Sequence, residues 1–196
     1  LEIGKGTAVL PKGEQVPGET FTEGQLIKVY ISDVKETTRG PSIMISRTHA
    51  GLVRRLFETE VPEIYDGIVA IHSVSREAGV RTKMAVSSTD ENVDPIGSCI
   101  GQRGARVNNI VDVLGGEKID IVKYSEDPAE FVAAALAPAN VLQVEIVNAE
   151  EKKCQATVPD HQLSLAIGNK GLNAKLAAKL TGWKIDIKPE SGFYEG

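Results

Sequence analysis

The sequence predicts an α+β protein in which a run of antiparallel strands is followed by two copies of one α-β-β-α-α-β unit. Three observations predict it. The hydrophobic period is two over residues 25–46 and then becomes helical. From there on, one order of helical and alternating segments occurs twice. Both copies carry Ile-Gly-x-x-Gly and, at nearly equal distance behind it, Lys-Ile-Asp-Ile.

Gln25 to Val34 alternates, with Ile27, Val29 and Ile31 on one face and Lys28, Tyr30 and Ser32 on the other. Thr38-Arg39-Gly40-Pro41 is a turn, and Ser42 to Ser46 alternates again, which makes a hairpin. A short strand, Ala8-Val9-Leu10, and a Pro/Gly-rich loop from Pro11 to Gly18 precede it. Three strands cannot close a small barrel. The first strands of such a barrel are therefore expected upstream of Leu1.

Leu52, Val53, Leu56 and Phe57 form the stripe of a helix ended by Pro62. Strands are expected at Gly67–Val74 and Val80–Val86. Asp94-Pro95, a capping residue before a proline at the first helical position, opens a short helix that stops at Gly101. Val107, Ile110, Val111 and Leu114 line the next helix, and Lys118–Tyr124 is a strand. The second copy places a helix at Pro128–Leu136, strands at Val141–Val147 and Lys153–Val158, and a short helix at Asp160–Ile167. Leu172, Leu176 and Leu180 then line a helix before the strand Lys184–Lys188.

Of the 196 residues, 41% are hydrophobic and 25% charged, the composition of a soluble globular protein. No apolar run is long enough to cross a bilayer and no leader opens the chain, so a cytoplasmic location is expected. Cys99 and Cys154 share no metal-ligand spacing with His49, His72 or His161 and read as reduced core thiols. Neither a dinucleotide fingerprint nor a phosphate-binding P-loop is present, and no nucleophile stands with a base. The expectation is a non-enzyme without cofactor or metal. The net charge of −5 argues at first against nucleic acid. Yet residues 125–151 hold six acids and no base, while residues 168–188 hold Lys170, Lys175, Lys179, Lys184 and Lys188 against Asp186 alone. The acidic excess is local.

A Gly-x-x-Gly pair means little by itself, because 19 glycines in 196 residues supply such pairs by chance and glycine often ends helices. Register gives these two their weight. Ile100 precedes Gly101-Gln102-Arg103-Gly104, and Ile167 precedes Gly168-Asn169-Lys170-Gly171. Each pair lies between a short helix and an amphipathic one. Lys118-Ile119-Asp120-Ile121 begins 17 residues past Gly101, and Lys184-Ile185-Asp186-Ile187 begins 16 past Gly168. Glycines at both corners let backbone approach a phosphate closely, and the following helix turns free N–H groups and its positive dipole end toward it. Each loop also offers a neutral donor and a cation. Behind it, helix and last strand can form a groove for unstacked bases.

This repeat resembles tandem type II KH domains. The stretches Val93–Val107, Gly116–Val122 and Leu163–Gly171, with the joining segments Ile45–His49 and Glu60–Ile64, resemble the NusA family of bacterial transcription factors. The resemblance covers essentially the whole chain. It implies the latter part of an S1 (OB-type) domain at residues 1–48, then KH domains at 49–126 and 127–196. It further implies a monomeric core that captures single-stranded nascent RNA in a protein that rides on RNA polymerase, acts with other antitermination factors, and modulates pausing, termination and antitermination. The family's polymerase-binding N-terminal domain is outside these residues, so the chain alone is expected to bind RNA without the full regulatory task. The implied RNA contacts are Ile100 to Gly104 with Arg106, and Ile167 to Gly171 with Asn173 and Lys175. Lys118, Ile119, Asp120 and Ile121, and Lys184, Ile185 and Asp186, would floor the grooves. Lys175 stands where the family often has arginine, keeping the charge without the planar fork. The alternatives are an S1/KH cap subunit of an RNA-degrading complex and a KH-fold protein-interaction module without RNA affinity.

Overall fold

The computed structural model describes residues 1–192; the last four residues of the second expected KH span lie outside them. Strands β1 (Glu2–Ile3) and β2 (Gly6–Thr7) form a small antiparallel pair, and β3 (Tyr30–Thr37) and β4 (Gly40–Ser46) form the expected hairpin. Two expectations fail here. Ala8-Val9-Leu10 is not a strand, and the first hairpin strand begins at Tyr30 rather than Gln25. Alternation supplies a face but not a ladder partner, and residues 25–29 pair with no strand among those described. The described strands close no barrel.

The N-terminal segment is held to the first repeat by Arg47, whose side chain is 5% exposed. Its Nε and Nη2 donate to Glu19 at 3.0 and 2.5 Å, Nη1 donates to the Lys28 carbonyl, and Nη2 also donates to the Val113 carbonyl. A guanidinium, a carboxylate and backbone carbonyls thus meet where hairpin, loop and first repeat join, and charge-assisted bonds are the strong ones.

The first unit comprises α1 (Ala50–Glu60), α2 (Pro62–Tyr65), β5 (Val69–Glu77), β6 (Arg81–Ser88), α3 (Pro95–Ile100), α4 (Ala105–Val113) and β7 (Lys118–Lys123). Asp94 caps α3 by accepting from the Ile96 N–H, with Pro95 at the first turn as expected. The sheet order is β5-β6-β7, β5 antiparallel and β7 parallel to the central strand. Leu52, Val53, Phe57, Met84, Val86, Cys99 and Ile110 fill its core.

The second unit repeats this with α5 (Pro128–Ala135), β8 (Gln143–Asn148), β9 (Lys153–Val158), α6 (Leu163–Ile167), α7 (Leu172–Thr181) and β10 (Lys184–Pro189), in the sheet order β10-β9-β8. Its core of Val132, Leu136, Ala156, Val158, Ala177 and Leu180 is continuous with Ala85 and Val122 from the back of the first sheet. That continuity joins the two repeats. Ser73 Oγ in β5 donates to the Leu180 carbonyl at the end of α7 (2.9 Å), and Lys83 Nζ in β6 donates to the Ala137 carbonyl just past α5 (2.7 Å). At the rim, His72 stacks on Tyr124, with ring centroids 3.7 Å apart, and Tyr124 meets Phe131 edge-on. The α+β architecture is the expected one: an S1-like stretch and two α-β-β-α-α-β units, the first with the short helix α2 in addition.

Candidate nucleic-acid interface

The two glycine loops are the same backbone built twice. Gly101 and Gly168 have φ/ψ of 77/172° and 82/170°, a region essentially closed to residues with a Cβ. Gly104 and Gly171 follow at 75/11° and 73/13°, left-handed helical. Between them Arg103 and Lys170 sit at 55/29° and 55/28°. A left-handed conformation costs a side-chain-bearing residue about 1–2 kcal/mol, so both loops hold a cation in a strained position. The strain lifts the third residue out of the helical run that would otherwise connect the two helices. Gln102, Arg103, Asn169 and Lys170 are all exposed, and neither cation has an ion-pair partner among the described residues. Helices α4 and α7 start directly after the loops, so their N–H ends and positive dipole ends lie beside the free cations.

The other expected contacts divide. Lys118 and Lys184 are exposed, and Ile119, Ile121 and Ile185 on the edge strands β7 and β10 are partly buried, packed against the cores of their own units. Ile100 and Ile167 are partly exposed before their loops. Lys175 and Lys179 are exposed on α7, whose Asn173, Leu176, Ala177 and Leu180 are buried. Three residues depart from expectation. Asp120 accepts from Lys83 Nζ at 2.9 Å and from Arg81 Nε at 2.8 Å, so its carboxylate is engaged inside the molecule. Arg106 Nη1 donates to Glu63 and to the Ser98 carbonyl, both at 2.8 Å, which spends its charge locally. Asn173 is 2% exposed and its amide donates to the Leu136 and Ala166 carbonyls. An RNA phosphate cannot reach a buried amide. Asp186, by contrast, is exposed, and among the described residues its side chain accepts only from Gln155 Nε2 at 3.4 Å.

Sequence reasoning missed Glu63 and Lys83, which fix the neighbours of the sites. The available signal was that Arg106 and Asn173 occupy equivalent places five residues after the first glycine yet differ in chemistry. The recess beside the first loop is lined by Glu63, Asp94, Gly101, Gln102 and Arg106, so acids flank it. Arg103 is left as its free cation. The second loop has Lys170 with Lys175 and Lys179 on the following helix.

Burial pushes the Cys99 thiol up to about 12, with a smaller contribution from Glu63, and burial also raises Cys154. Both thiols stay protonated at neutral pH and are sterically covered. Maleimide is therefore expected to leave both unlabelled in the folded chain and to label both in urea, read by mass spectrometry. Rapid labelling of Cys99 under native conditions would show that α3 opens beside the first loop.

Paired α-β-β-α-α-β units with a Gly-x-x-Gly loop in each define a tandem KH protein. Residues 47–124 match the NusA-like first KH domain and residues 128–195 the NusA-like second KH domain. The chain belongs to the NusA family. It is 60% identical over 191 residues to the transcription termination/antitermination protein NusA of Halalkalibacterium halodurans, covering 97% of this chain and 50% of that protein. The proteins of the same name from Bacillus subtilis (60%, 97% of this chain and 51% of that protein) and Thermus thermophilus (48%, 96% and 48%) are similar in the same way. The chain thus spans about half the length of these relatives. The crystal structure of APE1850 shares the fold, with a TM-score of 0.51 and 23% identity over 68% of this chain and 94% of that one.

Proposed function

We propose that the chain binds single-stranded RNA as the core of a transcription termination and antitermination factor, with both glycine loops clamping phosphates. The observation that carries this reading is the duplicated loop: two sets of dihedrals that agree within a few degrees, each holding an unpaired cation in a left-handed position. Strain kept twice at an exposed loop is a cost to folding that a binding site accounts for. Unstacked bases would lie along α4 and α7 over the edge strands β7 and β10. Residues 1–48 would act as an S1-type segment, with KH domains at 49–126 and 127–196. RNA polymerase and other antitermination factors are the proposed partners of the longer protein, and binding without catalysis, as a monomer in the cytoplasm, is its proposed mode. Among the described residues no helix is long and apolar enough to cross a membrane.

The test is an anisotropy titration of a labelled single-stranded RNA with the wild-type chain and with Arg103→Asp plus Lys170→Asp. Affinity is expected to fall at least about tenfold per loop, since a hydrogen bond to a charged group contributes about 1.5–3 kcal/mol. Lys170→Asp alone should cost more than Arg103→Asp alone, because acids already weaken the field at the first loop. Equal affinity of the double variant and wild type would sink the reading and leave a protein-interaction module.

A further inference from the structure

We propose that Arg106 and Asn173 are positioning residues that brace the two loops from behind, rather than groups that touch RNA. The proposal rests on the reading that these loops bind RNA, and deepens it. In each repeat the brace stands five residues after the first glycine and lies directly over it. A Cβ on Gly101 would come within 2.6 Å of Arg106 Cγ, and one on Gly168 within 2.6 Å of the Asn173 backbone nitrogen and 2.7 Å of its Cβ.

From that position each side chain joins three elements. Arg106, in α4, donates from Nη1 to the Ser98 carbonyl in α3 and to Glu63 in α2. Asn173, in α7, donates from Nδ2 to the Ala166 carbonyl in α6 (2.9 Å) and to the Leu136 carbonyl at the end of α5 (3.1 Å). The helix before the loop, the helix after it and a helix that opens the unit are tied by one donor group in both cases. A long cation reaches a carboxylate in the first repeat, and a short amide reaches a carbonyl in the second. The tie is shared although the chemistry is not.

The consequence is preorganisation. The loops contain strained residues, and without the tie they can relax into conformers that no longer present N–H groups and cation together. Apparent affinity falls in proportion to the competent fraction.

Glu63 makes the decisive variant, because two readings predict opposite signs for it. It is an acid beside an RNA-binding loop, so electrostatics alone predicts that Glu63→Ala tightens binding and frees Arg106 for a phosphate. Bracing predicts that it weakens binding. The measurement is anisotropy of a labelled single-stranded RNA across a salt series, with the 196-residue chain and its Glu63→Ala, Arg106→Ala and Asn173→Ala variants. Each is expected to weaken binding about three- to tenfold, the range of one internal hydrogen bond, with the salt slope unchanged. Binding by Glu63→Ala as tight as wild type or tighter overturns the brace. So does an Arg106→Ala slope shallower by about 0.7, the signature of a lost phosphate contact on a single strand. Hydrogen exchange of the amides at 101–104 and 168–171 is a second readout that needs no RNA. It should accelerate in the variants, and unchanged exchange also overturns the proposal. Failure of the wild type to bind RNA would instead remove the functional reading, with exchange still deciding the brace. Glu63 is partly exposed and in a different repeat from Asn173, so its variant keeps the test open if Asn173→Ala does not fold.

Discussion

Asp120→Ala is expected to destabilise the chain by about 3–5 kcal/mol, the cost of leaving a buried charge without its partner. Asp186→Ala, at the same place in the repeated tetrapeptide, is expected to stay within about 0.5 kcal/mol. The difference lies in what faces each carboxylate. Asp120 pairs in register with Lys83, whose side chain is 0% exposed, and it receives Arg81 as well. The Lys83 ammonium has two acceptors, Asp120 and the Ala137 carbonyl, so removing the carboxylate leaves a cation with one neutral acceptor at the junction of the two repeats. Asp186 pairs in register with Gln155, and both are accessible to water. Burial already lowers the Lys83 pKa, and Asp120 opposes that shift. Without Asp120 the folded state binds the proton more weakly still, while the unfolded chain binds it normally. The charge part of the penalty therefore shrinks as pH rises toward the ordinary lysine range. Urea denaturation of both variants at neutral and alkaline pH checks this. Equal midpoints for the two would show that the junction does not depend on the buried pair.

The same contrast shows how much of the molecule was legible in its sequence. The repeat, the order of its elements and the loops could be read because they depend on local signals: period, capping by Asp94-Pro95, and glycine spacing. What could not be read depends on which element packs where. Asp120 and Asp186 are identical in sequence context, and only the residue opposite, Lys83 or Gln155, makes one an internal tie and leaves the other exposed. Arg106 looks like a free cation one turn past a loop, because nothing local reveals that Glu63, 43 residues earlier, lies against it. Asn173 follows the second glycine loop by two residues, where exposure is expected. It is buried because it lies on the inward stripe of α7, with its amide turned onto the Leu136 and Ala166 carbonyls of its own unit. Residues 25–29 alternate convincingly, but a strand exists only where a second strand pairs with it. Side-chain type and spacing reveal elements, while partners separated by tens of residues decide whether a polar group is a site or a strut.

Among the loop glycines, Gly168→Ala is expected to have the largest effect, Gly101→Ala an intermediate one, and Gly171→Ala the smallest. All three have positive φ, so each alanine meets backbone strain of about 1–3 kcal/mol. The neighbours rank them. At Gly171 a Cβ meets nothing within 4 Å. At Gly101 it meets the side-chain carbons of Arg106, which can move at the expense of the bonds to Glu63 and Ser98. At Gly168 it meets the backbone nitrogen of Asn173 at 2.6 Å, inside the first turn of α7, and that helix cannot shift without leaving the first sheet. The loop then opens rather than the domain, because an exposed four-residue turn is the cheaper place to yield. Gly168→Ala should consequently show a modest fall in the urea midpoint and a large fall in RNA affinity, whereas Gly171→Ala should show comparable, small losses in both. An affinity for RNA that survives Gly168→Ala would mean that this close approach of loop to helix is not what presents Lys170.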